Sequence, residues 1–370
     1  MEINVYNSFS FELKKMWVEF ESIALKTPFQ SYAWLSNWQK IIGKKLFNIK
    51  PQIAVVKKDQ TIICIMPFGL RKVKGINVIE WLGGINSDYM CPLIHPEWTS
   101  YSGDFQSMWE EVTKRLFNFD IIHLYKQPSR IKNIDNPFVD FISPKIQDNI
   151  SYKITLEESW DNYYTNHIKN KLRADSRRNR RNLNKIDKLK FYIPESEKEK
   201  EKIINSMIKQ KSYRFRKTGE WDMLSKDEYS QFYRLLSKSS KEMKIHCSAL
   251  ILGEQIIATH VGLIDKDTFF YLMPAHEESY NKFSSGRLLL ENLIEWSIIN
   301  KLKYFDFTIG DEKYKKIWSN TEMKLFSYIK SQNFKGAIYQ NNLNIKNNLK
   351  NIPLIGSGLR NLNSWIKNNI

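Results

Sequence analysis

Ser284-Ser285-Gly286 stand just ahead of a long apolar periodicity: Leu288, Leu289, Leu290, Leu293, Ile294, Trp296, Ile298 and Ile299. Small residues let backbone N–H groups crowd together. A helix that opens there turns its unpaired N–H groups and positive dipole end outward. The spacing predicts an anion site, suited to a phosphate or pyrophosphate, formed by Phe283, Ser284, Ser285, Gly286 and Arg287. Read alone, the same stretch is equally an ordinary helix–strand unit with a polar turn. Two residues are candidates for moving a proton. Asp306 lies between Phe305 and Phe307 in the run Tyr304–Ile309. A carboxylate in such a strand costs free energy unless it is paired, and alternation would set it with Thr308 on one face, open to a cleft. His260, within Ala258–Gly262, has an intrinsic pKa near neutrality. A lone strand histidine is more often a core residue.

The chain of 370 residues has room for two domains of ordinary size, and 42% apolar residues suffice for sizeable cores. A net charge of +17 suits an anionic partner: nucleic acid, an anionic membrane surface, or a phosphorylated small molecule. Cys64, Cys91 and Cys247 are far apart and lack metal-ligand spacing, which implies a reducing compartment and no metal. The first twenty residues are broken by Glu2, Glu12 and Glu19 and do not read as a signal peptide. A cytoplasmic protein is expected. The Asn-rich tail, residues 336–370, has no acidic residue and offers a peripheral contact with an inner-membrane surface; its plainer reading is a loosely packed terminal helix pair.

The elements that must position these residues follow from periodicity. Helices are predicted over 11–24 and from Ser31 through Ile42, then a hairpin 52–57 and 61–70 about the turn 58–60. A strand over 78–82 opens into Gly83–Tyr89, which reads as a flexible polar loop. A helix follows over 103–117 and a strand over 120–125. Residues 159–187 read as one helix with a very basic centre: Lys169, Lys171, Arg173, Arg177, Arg178, Arg180, Arg181 and Lys185. It is either a solvated helix or one that faces an anion. After a helix over 196–213, Arg214–Trp221 reads as a basic, aromatic loop. It is a surface turn or part of a substrate cleft, with Arg216 and Trp221 as substrate contacts. Then strand, three-residue turn and strand recur at 245–252 and 256–264, roughly repeating the first hairpin. That is weak evidence for a structural duplication.

Several segments together resemble the tandem GNAT-like acyltransferases of the CelD and BioF2-like group, distant relatives of the FemABX peptidyltransferases. They are Thr27–Trp34, Pro67–Arg71, Trp81–Gly84 with Ser87–Tyr89, the basic helix around Arg173–Arg181, and above all Ser284–Leu289 through Asp306–Lys315. The likeness covers about residues 25–330. It implies an α/β fold with two tandem GNAT-like domains, here 1–150 and 151–335, followed by the tail 336–370, and a cleft between the two domains. The usual phosphate-loop spacing is reduced here to Gly286 and small serines. The resemblance implies transfer of an acyl group, usually acetyl from acetyl-CoA or another acyl-CoA, to an amine such as an amino sugar of a surface polysaccharide. The start of the apolar helix would hold the pyrophosphate. Tyr314 would protonate the leaving thiolate, Lys315 would bind phosphate or carboxylate, and Asp306 or His260 would take the amine proton. Asp88 and Tyr89 would contact the acceptor sugar. A Fem-like aminoacyltransferase using aminoacyl-tRNA, or a non-catalytic scaffold in a polysaccharide-synthesis complex, are the alternatives. DNA binding has only charge in its favour, since no helix-turn-helix or zinc signature is present.

Overall fold

The computed structural model describes residues 1–101, 105–140, 145–238 and 243–350. They divide into two compact units, Met1–Ile150 with the chain from Met323 onward, and Ser151–Glu322.

The first unit begins with β1 (Glu2–Tyr6), α1 (Phe11–Ile23), α2 (Tyr32–Trp38) and α3 (Lys44–Phe47). Ser10 and Ser31 cap α1 and α2, their hydroxyls accepting the N–H groups of Leu13 and Trp34. The hairpin is β2 (Lys50–Lys58) and β3 (Thr61–Val73), and its turn is the pair Asp59-Gln60, both at positive φ. β4 (Ile76–Trp81), β5 (Leu93–Ile94), α4 (Trp98–Tyr101), α5 (Phe105–Arg115) and β6 (Ile121–Pro128) follow. β1 to β4 pair antiparallel in sequence order, and β4 pairs β6 in parallel. Trp81, Phe68, Trp109, Phe105 and Phe138 interlock in the core beneath this sheet. A short hairpin, β7 (Arg130–Ile131) and β8 (Ile134–Asp135), and α6 (Pro137–Asp140) lead to β9 (Lys145–Thr155), whose Ser151–Thr155 belongs to the second unit.

Gly83–Tyr89 is not a flexible loop. Asn86, Ser87, Tyr89, Met90 and Cys91 are buried. The Trp34 and Trp38 indole N–H groups donate to Ser87 Oγ (2.9 Å) and Asn86 Oδ1 (3.1 Å). Gly84, at φ +52°, lies so close to Trp38 that a Cβ would sit 2.8 Å from its ring. β4 and β6 pair only at Val78–Ile121 and Ile79–Ile122. Beyond that point the returning loop takes up β6, with Met90 N–H donating to Lys126 O (2.9 Å) and Lys126 Nζ donating to Ser87 O (2.7 Å).

In the second unit the predicted basic helix is two helices, α7 (Trp160–His167) and α8 (Asn170–Ile186), because Ile168 and Lys169 are extended. β10 (Leu189–Tyr192) precedes α9 (Glu197–Thr218). A Ser196/Glu199 capping box starts α9, and Gly219 at φ 69° ends it, with Glu220 N–H closing onto Phe215 O. Arg214, Phe215 and Arg216 are therefore helical, not part of a loop. α10 (Asp227–Leu236), β11 (Lys244–Leu252), β12 (Gln255–Asp265), β13 (Thr268–His276), α11 (Ser285–Ile299), β14 (Tyr304–Ile309) and α12 (Lys313–Trp318) complete the unit. β10 to β13 pair antiparallel, β13 pairs β14 in parallel, and β14 pairs β9 antiparallel. β15 (Thr321–Ser331) pairs β6, so Met323–Ser331, grouped with the second domain in the sequence reading, adds to the first unit's sheet. α13 (Phe334–Lys350) follows it; residues 351–370 of the predicted tail lie outside the described residues.

His246 and His260 are buried in the second unit's sheet, and neither ring has a hydrogen-bond partner among the described residues. Burial lowers both pKa values, that of His246 to about 3. The unfolded chain therefore takes up more protons below about pH 6.5. The stability that these two groups contribute is complete above that pH and is lost as pH falls, for His246 towards 3. At pH 5 the loss is about 2 kcal/mol for His246. In urea titrations at pH 7.5 and 5, His246→Phe should narrow the wild-type gap by about that amount. An equal gap in both proteins would refute the assignment.

Candidate active site

β13 and β14 run in parallel but pair only over Thr268–Phe270 and Tyr304–Asp306. β13 then continues to His276, while β14 is bent by a bulge between Asp306 and Thr308. Thr308 takes φ +59°, and its N–H donates to Asp306 Oδ1 at 2.7 Å. Asp306 is thus 6% exposed and committed to this bend, in place of the simple alternation read from sequence. The rings of Tyr271, Phe307 and Tyr314 gather where the strands diverge, Tyr271 and Tyr314 each meeting Phe307 edge-on at 5.7 and 6.1 Å.

β13 leads through the turn Glu278–Phe283 into α11. Ser284 holds φ 53°, and the first helical bond runs from Leu288 N–H to its carbonyl. The N–H groups of Ser285, Gly286 and Arg287 precede that bond and lie at the positive end of the helix. Ser285 Oγ is buried without a partner among the described residues, and so is Arg287 Nε. Phe283 is half-buried. His276 closes the turn from below: a Cβ on Gly286 would lie 3.2 Å from its Nδ1. Unpaired buried donors of this kind are costly unless a ligand satisfies them.

A charged group flanks the divergence. Lys211 of α9 donates to Pro274 O (3.2 Å). Burial and then Arg214 bring its pKa down to about 8. Lys315 is 4% exposed, donates to Ile309 O (2.8 Å) and pairs with Glu312 (3.0 Å). Gly310, at φ +153°, lies beneath that pair, and a Cβ there would collide with both charged ends. Burial alone would raise the Glu312 pKa, but Lys315 carries it below the ordinary carboxylate value. Burial, and then Glu312, push the Tyr314 hydroxyl well above its usual range, while burial and then Tyr314 do so for Tyr271. Burial and then Arg214 lower His276. One desolvated neighbourhood therefore holds phenols that keep their protons and an amine poised near neutrality.

The remaining predicted residues fall elsewhere. His260 is fully buried and stacked on Tyr271 (4.5 Å, 7°), a core side chain and not a base in a cleft. Tyr89 is 2% exposed against Phe29, and Asp88 faces Lys126 at 3.9 Å. Arg216 pairs with Asp222 (3.2 Å), and Trp221 packs edge-on to Tyr229, fastening the end of α9. In the basic helix, Arg180 reaches Glu291 and Asn292 of α11, so it tethers those helices. Lys169, Lys171, Arg177, Arg178, Arg181 and Lys185 are exposed. Lys211, Tyr271, His276 and Glu312 were not singled out from sequence, and Arg214 was read only as the first residue of the basic loop. Only His276 carried a signal, at the end of a strand ahead of the small-residue turn. No cluster of three or more metal-ligating side chains occurs among the described residues.

Residues 170–316 match the family model described as the acetyltransferase (GNAT) domain. No curated protein matches the sequence. Among solved structures, a conserved protein of unknown function from Bacteroides thetaiotaomicron superposes with a TM-score of 0.54 at 10% identity, over 88% of this chain and 99% of that one. L-PGS from Bacillus licheniformis gives 0.51 at 12% identity, over 89% and 94%. A tandem GNAT protein from the clavulanic acid biosynthesis pathway gives 0.47 at 8% identity, over 89% and 98%. Residues 170–316 of the second unit thus carry the match to a GNAT acetyltransferase domain, and the chain has a mixed α/β fold, as the sequence implied.

Lys315→Met removes an ammonium shared by a carbonyl and a carboxylate at the turn after β14. It should lower the free energy of unfolding by about 1–3 kcal/mol. Lys316→Met, at an exposed neighbour, should change it by less than about 0.5 kcal/mol. Urea denaturation of the two variants checks both.

Proposed function

With a GNAT acyltransferase domain in residues 170–316 as the premise, we propose that the protein moves an acyl group from an acyl-CoA, acetyl-CoA first among them, to an amine. The observation that carries this reading is the divergence of β13 from β14 beside a helix start with unpaired donors. An extended thioester arm fits between diverging strands, and its pyrophosphate fits the N–H groups of Ser285, Gly286 and Arg287. The amino-sugar acceptor of a surface polysaccharide rests on the CelD and BioF2-like resemblance.

The amine nitrogen attacks the thioester carbon, the C–S bond breaks, and an amide forms. Tyr314, protonated at neutral pH, gives its proton to the departing thiolate and regains one from the nitrogen, which sheds its second proton as the amide forms. Neutral Lys211 takes the proton that the attacking ammonium must lose, since its pKa of about 8 lies near working pH. Glu312, fixed by Lys315, balances the charge. This revises the base from Asp306 or His260, which the bend in β14 and the core engage.

A second reading, aminoacyl transfer from tRNA, draws on the exposed cations of α8. It requires tRNA binding with a steep salt dependence.

Calorimetry should detect CoA binding that Gly286→Glu weakens more than about tenfold. In thiol-release assays with a panel of amines, kcat/KM should rise through about pH 8 in the wild type. Lys211→Met should flatten that limb, and Tyr314→Phe should lower kcat about 10²-fold with little change in CoA affinity. No CoA binding by the wild type would sink the proposal.

A further inference from the structure

Lys211, Arg214 and Lys217 follow one another at helical spacing along one side of α9. The outer two are anchored to the segment that leads into α11. Lys211 Nζ donates to Pro274 O (3.2 Å), and Lys217 pairs with Glu278. Arg214 therefore lies over the chain between Pro274 and Glu278, where His276 stands against Gly286 at the helix start. Its charge bears on Lys211, His276, Tyr271 and Tyr314, which puts it at the mouth of the candidate site. Among the described residues no hydrogen bond or ion pair engages the guanidinium. Asp222 is taken by Arg216, Glu278 by Lys217 and Glu312 by Lys315. Glu220 accepts from the Thr218 hydroxyl, and Glu277, which bears on His276, forms no ion pair. Arg214 is exposed, so water serves it until a substrate covers it.

We propose, resting on the reading of acyl transfer to an amine, that Arg214 selects an acceptor whose amine carries a carboxylate a few bonds away, and that the guanidinium binds that carboxylate through paired N–H donors. Lys211, which takes the amine proton in that reading, is three residues earlier on the same helix. Such residues have Cβ atoms about 5–6 Å apart, so one small molecule spans both. Charge favours the same class. A plain ammonium would approach Lys211 and Arg214 together, with Glu312 already held by Lys315. A zwitterion brings its own counter-charge to Arg214. The donor's pyrophosphate has other partners, the N–H groups of Ser285, Gly286 and Arg287 and the buried Arg287 Nε, which leaves Arg214 to the acceptor. An amino sugar meets this requirement when it is itself acidic.

The test uses matched pairs of amines, muramic acid against glucosamine and β-alanine against β-alaninamide, titrated calorimetrically into the full chain without donor. In the pair that binds best, the carboxylate member should have a dissociation constant lower by about tenfold or more. Arg214→Gln should bring that ratio down towards one, and Arg214→Lys should keep part of it. The CoA affinity of Arg214→Gln should stay within about twofold of the wild type. The amine titrations need no donor, so a preference that Arg214→Gln abolishes supports the inference even where the wild type binds no CoA, a result that ends the acyl-CoA reading alone. Equal affinity within every pair, or a preference that Arg214→Gln leaves intact, would overturn the inference. So would a loss of CoA affinity in that variant as large as the loss expected for the carboxylate amine, since Arg214 would then serve the donor's phosphates.

Discussion

The second unit depends on one backbone decision, the bend of β14 away from β13. Parallel strands pair for as long as their hydrogen-bonding edges stay in register. Here register ends after three residue pairs, because Thr308 turns to positive φ and the Asp306 carboxylate holds its N–H. A threonine in that conformation is strained, and a short carboxylate two residues away is the kind of partner that holds it. Phe305 and Phe307 are both fully buried around the bend, so packing fixes it from either side. The same bend carries the chain to Gly310 and the Lys315–Glu312 pair, so the charged group flanking the opening is set by the geometry that creates the opening.

The first unit has the same sheet plan and a different outcome. β4 and β6 also pair briefly in parallel and part, but there the chain fills the gap itself. Met90 and Ser87 bind Lys126, while Trp34 and Trp38 hold Ser87 and Asn86 from the other side. In the second unit the chain leaves β13 through a short turn and enters a helix directly, with its first donors unpaired among the described residues. What separates a filled gap from an open one is the route of the ten or so residues after the fourth strand, not the sheet.

Much of this was legible in sequence. The hairpins, the cap at Ser31 and the apolar helix after Ser284 all follow from periodicity and turn residues, and each formed within a few residues of its expected bounds. The losses have physical reasons. Gly83–Tyr89 reads as polar and glycine-rich, yet its polar atoms are consumed by buried indoles from a helix fifty residues earlier, a pairing that local pattern does not encode. Asp306 was informative for the right reason, since a carboxylate between phenylalanines needs a partner. That partner is its own backbone two residues on. Lys211 was invisible, because a lysine in a lysine-rich helix gains its meaning only from what it packs against. Arg216 and Trp221 looked like a cleft because Gly219 was read as part of a loop, when it is the stop of a longer helix.

The chemistry of the site follows from a single cause acting on groups of opposite charge type. Removing water disfavours whichever form of a side chain is charged. For a phenol that is the deprotonated form, and Tyr271 and Tyr314 keep their protons far above neutrality. For an amine it is the protonated form, and Lys211 is brought down to about 8. The excess of cations adds to the second effect, since Arg214 and Lys315 both oppose a charge on Lys211 and only carboxylates such as Glu312 favour it. Desolvation therefore keeps the phenols protonated and at the same time brings the amine towards neutrality. Acyl transfer from a thioester to an amine, the reaction we propose, calls for a proton donor and a proton acceptor in one turnover, and the same loss of water acts towards both.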